Sequence, residues 1–197
     1  MQFLAESISS RVVLILGFEG DKRLVRQEEQ KALQVAAQTG GRDLGQGPGL
    51  HWLRHRYSIS FKMPEILEQG GFVDTIEVAT TWDNLWNLYA RVKTALSKNV
   101  MVLAHFSHAY PEGCSIYFTF IGKREGSDRD LKLYQALWHD AMEATLECGS
   151  TISHHHGIGL LKARYLPKEL GVGMELYRSF KKRLDPKKIM NPGKMGL

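Results

Sequence analysis

Two cysteines in 197 residues, Cys114 and Cys148, are too few for a disulfide framework, and they lack the paired spacing of a zinc ribbon. They read as reduced thiols of a cytoplasmic protein. No apolar run approaches the ~20 residues that cross a bilayer. The start, Met1-Gln2-Phe3-Leu4-Ala5-Glu6, has neither the basic nor the long apolar region of a signal peptide. No repeat recurs at a solenoid period. A strand followed by a glycine-rich loop and a helix, the arrangement that holds a dinucleotide pyrophosphate, is also missing. The nearest candidate, Gly45-Gln46-Gly47-Pro48-Gly49, has no strand before it, and no helix is expected directly after it. Charge of one sign is not concentrated. The net charge is +5 and the basic residues cluster only at Lys181-Lys182-Arg183 and Lys187-Lys188. Such a balance suits small acidic molecules and excludes a nucleic-acid arm.

What is present suffices for a folded domain. Apolar residues make up 43% of the chain, enough to build a core. Residues 11–18 read as a short buried strand. A helix follows from Asp21, a residue suited to capping, and Gly40-Gly41 closes it. Residues 42–50 read as a loop, and Pro64 as the start of a short helix. Strands are expected at 72–79, 100–110 and 115–121, the last two joined by a hairpin at Pro111-Glu112-Gly113. Between the first and second, Thr81 is expected to cap a helix whose Leu85, Leu88, Tyr89, Val92 and Leu96 share a face. Asp128 opens a helix to about Cys148, with Leu131, Tyr134, Trp138, Met142 and Thr145 at helical spacing. One more helix is expected over 167–184, followed by a loop-like tail with few core anchors. The fold class is α+β: a ferredoxin-like antiparallel sheet with helices on one face, plus a C-terminal helix and tail. The expected division is a domain over 1–150 and a His-rich loop, helix and tail over 151–197.

The run Ser153-His154-His155-His156-Gly157-Ile158-Gly159 is the first place to expect chemistry. Imidazole exchanges protons near neutral pH, and glycine permits close approach. Adjacent side chains of an extended segment alternate, so one imidazole is expected to face away from the other two. Three consecutive histidines do not match zinc spacing, and no metal is expected. In the strand around Tyr117, residues Ser115, Tyr117 and Thr119 share one face, while Phe118 and Phe120 point to the core. His105 and His108 are three apart and should face opposite sides, with His108 the one lining the cleft.

Four segments together resemble a known family: Glu77-Val78-Ala79-Thr80-Thr81-Trp82-Asp83, the strand from Ser115 to Phe120, the histidine run, and Asp185-Pro186-Lys187-Lys188-Ile189-Met190-Asn191-Pro192-Gly193-Lys194. In this order they are similar to the C-terminal part of FAD-linked oxidases of the vanillyl-alcohol oxidase type, on the alkyldihydroxyacetonephosphate synthase branch. The resemblance implies a substrate-binding cap whose tail returns to an N-terminal FAD-binding domain, here absent and expected as a partner domain or subunit. It implies FAD as cofactor of the complete enzyme, with Tyr117, His154, His155 and His156 catalytic and Asn191 and Lys194 reaching the flavin domain. A histidinium beside Tyr117 would ease deprotonation of the phenol. Lys62 stands where the synthase carries an arginine, with Arg54 or Arg56 as a compensating anion holder. The implied substrate is an anionic small molecule, either a 2-hydroxy acid or similar alcohol or the substrate of an alkylglycerone-phosphate synthase-like transferase. The alternative is a non-catalytic ligand- or partner-binding module, and homo-oligomers are compatible with either.

Overall fold

The computed structural model of the chain describes residues 12–58, 62–126 and 128–197, and leaves the side chain of Lys62 undescribed. They form two compact units, one ending at Lys62 and one running from Met63 to Leu197.

In the first unit, α1 (Lys22–Gln38) starts where expected. The Asp21 carboxylate accepts hydrogen bonds from the backbone N–H groups of Arg23 at 2.9 Å and Leu24 at 3.3 Å, relieving two of the unpaired donors of a helix start. The strand expected over 11–18 does not form. Residues 12–18 have no partner strand among the described residues of this unit, and Val12 and Leu14 are exposed; an extended segment without a ladder has nowhere to place its backbone bonds. Arg11 lies outside the described residues. The loop expected over 42–50 is likewise partly helical: α2 (Gly47–His55) begins inside it, with Pro48 in its first turn, where a missing N–H costs nothing.

The second unit contains α3 (Lys62–Glu68), β1 (Gly71–Thr81), α4 (Leu85–Leu96), β2 (Met101–Ala109), β3 (Gly113–Lys123), α5 (Asp128–Glu147), α6 (Leu166–Leu170) and α7 (Gly173–Leu184). The strands form one antiparallel sheet in the order β1-β3-β2. One face carries Ile76, Val78, Ile116, Phe118 and Phe120 against Leu88, Val92 and Leu96 of α4 and Leu137, Trp138 and Met142 of α5, all buried. This is the expected α+β layer of helices on one face of a sheet. Alternation leaves the opposite face, with Glu77, Ser115, Tyr117 and Thr119, for the site. A ferredoxin-like sheet would carry a fourth strand beside β1. Here that place holds a single bridge, Ala79 to Thr151, with mutual backbone bonds of 3.2 and 3.0 Å. The chain then leaves the ladder and enters the histidine run.

Three local expectations are corrected. Thr81 makes no capping bond to α4, which is preceded by a 3₁₀ turn at Trp82–Asn84; Asn84 instead donates to the Cys148 carbonyl at 2.7 Å, tying the start of α4 to the end of α5. The helix expected over 167–184 is two helices, because Gly171 has φ 52° and a residue with positive φ cannot continue a right-handed α-helix. The tail is anchored. Asp185 is buried and accepts the N–H groups of Ile189 and Met190, both at 3.0 Å, while Met195 and Leu197 pack on the core.

Candidate functional site: a phenol and imidazole cluster over a buried carboxylate

Tyr117 lies mid-way along β3, paired with Glu77 on β1 and His105 on β2. Its hydroxyl makes a short hydrogen bond with Nε2 of His155. His156 stacks on the phenol at 5.1 Å between ring centroids, and His105 stacks on it at 5.7 Å. His108 meets Tyr117 at 6.4 Å, His155 at 4.7 Å and His154 at 5.7 Å. His105 and His108 therefore share a face, contrary to the expectation. The register between β2 and β3 shifts after Phe106, so that Ala109 pairs with Cys114. One extra residue on β2 reverses the alternation, as a bulge does. Ser115 then holds His108, its hydroxyl oxygen accepting the His108 N–H at 3.2 Å.

The three consecutive imidazoles also share a side, and the expected alternation fails because the segment is not extended. Its backbone wraps a carboxylate. The N–H groups of His154 at 3.0 Å, His155 at 3.3 Å and His156 at 3.4 Å all point at the Glu77 carboxylate, and the Ser153 hydroxyl donates to it at 3.3 Å. Successive N–H groups turned inward form an anion-binding nest, so the rings turn outward. Lys162, also buried, donates to the Glu77 carbonyl at 2.9 Å and lies 4.0 Å from the carboxylate. Burial pushes the Glu77 carboxyl up. The N–H groups of the histidine run and the Lys162 ammonium outweigh that and hold it below its ordinary value, hence ionised. Burial brings Lys162 down to about 8, against the pull of Glu77 and Glu169.

Glu77 and Lys162 escaped the sequence reading. Glu77 stood inside a quoted segment, and its only signal was a charged residue between the apolar Ile76 and Val78 of a strand.

Loss of water around the ring, and after the opposing pull of Glu77 the neighbouring imidazoles of His156, His108 and His154, hold His155 below its ordinary value. The expected histidinium lever on Tyr117 is thus replaced by a neutral imidazole. A neutral imidazole accepts a proton on one nitrogen while donating from the other. Ring nitrogens of His108, His154 and His155 lie within 4.8 Å of one another, closer than consecutive positions suggested, because His108 arrives from a different element. Beside this cluster a cleft of about 370 Å³ opens between Thr80, Tyr110, Gly113, Ser150 and His154.

Residues 6–195 match the family described as FAD linked oxidases, C-terminal domain. The chain belongs to this family. Among curated relatives it is 30% identical over 197 residues to alkyldihydroxyacetonephosphate synthase of Trypanosoma brucei brucei, covering 96% of this chain and 32% of that one. It is 29% identical to the synthase of Dictyostelium discoideum, over 92% of this chain and 31% of the relative. Similarity extends to the mitochondrial D-lactate dehydrogenase [cytochrome] of Arabidopsis thaliana, at 25% over 96% of this chain and 34% of that one. A solved alkyldihydroxyacetonephosphate synthase has the same fold, with TM-score 0.59 and 24% identity over 89% of this chain and 30% of its own. The chain spans about a third of the length of the relatives named here. No helix among the described residues is long and apolar enough to cross a membrane.

Arg54 is exposed in the last turn of α2, in the first unit. The Lys62 side chain lies outside the described residues. Asn191 and Lys194 are both exposed; Asn191 has φ 46°, and next to Lys194 the Met195 N–H donates to the Gly159 carbonyl at 3.1 Å. The tail therefore lies against the loop that follows the histidine run.

Proposed function

We propose that this chain is the substrate-handling C-terminal part of an FAD-dependent enzyme, and that the Tyr117–His155 pair moves the proton its reaction requires. The observation that carries the reading is the short bond between a phenol on the open sheet face and an imidazole, with four further imidazoles in ring contact with the pair. The substrate is an anionic small molecule, either a 2-hydroxy acid or similar alcohol or the substrate of an alkylglycerone-phosphate synthase-like transferase. His108 and His154 are assigned to its anionic end.

The residues present fit the reacting end of FAD and not its pyrophosphate. The sheet face offers proton donors and acceptors, whereas no strand precedes the glycines at 45–49 among the described residues. When bound by the complete enzyme, FAD supplies the acceptor for the substrate's electron pair. Tyr117 takes or returns the hydroxyl proton, His155 receives it from the phenol, and His156 shields the phenol from water by stacking on it. Asn191 and Lys194, held beside the histidine loop by the anchored tail, face the FAD-binding partner domain. Likeness to the synthases and to the D-lactate dehydrogenase supports both substrate classes.

In the FAD-bearing enzyme, Tyr117→Phe and His155→Ala each lower turnover by about 100-fold or more, the usual share of a positioned acid or base, with near-UV circular dichroism unchanged. Wild-type rates in both variants overturn the assignment.

A further inference from the structure

We propose that Glu77 is a positioning residue that selects the tautomer of His155, placing the ring proton on Nδ1 and leaving the Nε2 lone pair to accept the proton of Tyr117. This rests on the reading of Tyr117 and His155 as the proton-moving pair.

The two oxygens of the buried carboxylate have different surroundings. Oε2 receives the Ser153 hydroxyl at 3.3 Å and the N–H groups of His154 at 3.0 Å and His156 at 3.4 Å, and faces Lys162. Oε1 receives the N–H groups of His154 at 3.0 Å and His155 at 3.3 Å, and it also faces ring nitrogens: Nδ1 of His155 at 3.4 Å and Nδ1 of His154 at 3.7 Å. Those two Nδ1 atoms are 3.0 Å apart, so a single proton lies between them. On His155 it sits within reach of both the carboxylate and the His154 lone pair. On His154 it would leave a bare His155 nitrogen against a carboxylate oxygen. The nearer contact and the avoided repulsion select His155.

The consequence appears at the other end of the ring. In a neutral imidazole one nitrogen donates and the other accepts, and the partner of one fixes the role of the other. With Nδ1 protonated, Nε2 is an acceptor, and it is the atom bonded to the Tyr117 hydroxyl. When the phenol gives up its proton, the O–H bond breaks and an Nε2–H bond forms. The imidazolium so produced keeps its Nδ1–H toward an ionised carboxylate. In serine hydrolases a buried carboxylate orients an imidazole through a direct hydrogen bond to Nδ1–H; here the carboxylate oxygen stands 3.4 Å from Nδ1 and acts by its charge.

Glu77 has a structural task as well, so the test must read the ring and not only stability. Long-range ¹H–¹⁵N correlation spectra of the ¹⁵N-labelled 197-residue chain at mildly alkaline pH report which nitrogen of each imidazole carries the proton. His155→Gln identifies the His155 signals by their loss. The expected result is Nδ1–H for His155 in the wild type, unchanged in Tyr117→Phe and shifted toward Nε2–H in Glu77→Gln. Nε2–H in the wild type overturns the proposal, and so does a tautomer that moves in Tyr117→Phe as far as in Glu77→Gln. If Glu77→Gln does not fold, the wild type and Tyr117→Phe still decide. None of these spectra depends on turnover, so failure of the catalytic reading registers separately, in the rates of the FAD-bearing enzyme.

Discussion

Glu77 is fully buried, and around it lie the Lys162 ammonium and three backbone N–H groups that point at its carboxylate. A carboxylate in that place is costly to desolvate, but removing it is costlier, because the nest and Lys162 are then left without their anion. Glu77→Ala is therefore expected to lower stability by about 3–5 kcal/mol, read as a fall in the urea midpoint; a loss below ~1 kcal/mol would mean that the nest is not held by charge. Lys162 leaves a signature in pH. Its folded value is about 8, against 10.5 as the ordinary one. Between those values the unfolded chain binds the extra proton, so the contribution of Lys162 to stability rises with pH across that window. Urea midpoints measured from pH 8 to 10.5 should rise in the wild type relative to Lys162→Met, which has no proton to lose. Parallel curves for the two proteins would contradict this.

At the scale of elements, the site exists because two strands are irregular. The bulge in β2 brings His108 to the face of His105 and Tyr117, and the pairing beside β1 is a single bridge at Thr151, so that the next residues are free to wrap Glu77. The hairpin that joins β2 to β3 leaves no room at its base. A Cβ on Gly113 would lie 2.0 Å from the Thr80 carbonyl oxygen of β1. Gly113→Ala is expected to cost roughly 3 kcal/mol, the upper end for overpacking, seen as a lower thermal midpoint, and to perturb the histidine resonances by moving the end of the sheet. An unchanged midpoint would show that β1 yields there. Phe118, fully buried between sheet and helices, tests the other face: Phe118→Ala should cost about 3–5 kcal/mol in chemical denaturation while the ring contacts of Tyr117, on the opposite face, persist.

For the whole molecule, the described residues divide into two units and carry Tyr117 and the histidine cluster on the second. The purified 197-residue chain is expected not to retain FAD through gel filtration, read by its visible absorption, because the proposed function assigns its residues to the reacting ring and not to the pyrophosphate. Stoichiometric flavin after filtration would show a cofactor site elsewhere in the chain. Much of the architecture was legible in the residues alone. Period-two and helical spacing placed β1, β2, β3, α4 and α5, since burial of one face imposes that spacing whatever the detail of packing. The likeness of four short segments supplied the family, and the Tyr117 face and the histidine run followed from residue type. Residues 11–18 read as a strand because apolar composition registers a capacity for burial, and a ladder needs a partner that composition does not name. What tertiary structure alone decided was the direction of every imidazole. His108 turned with a bulge, and His154, His155 and His156 turned together because their backbone closes on Glu77, seventy-seven to seventy-nine positions away. Strand alternation is a local rule, and a buried charge that recruits backbone donors from a distant loop overrides it.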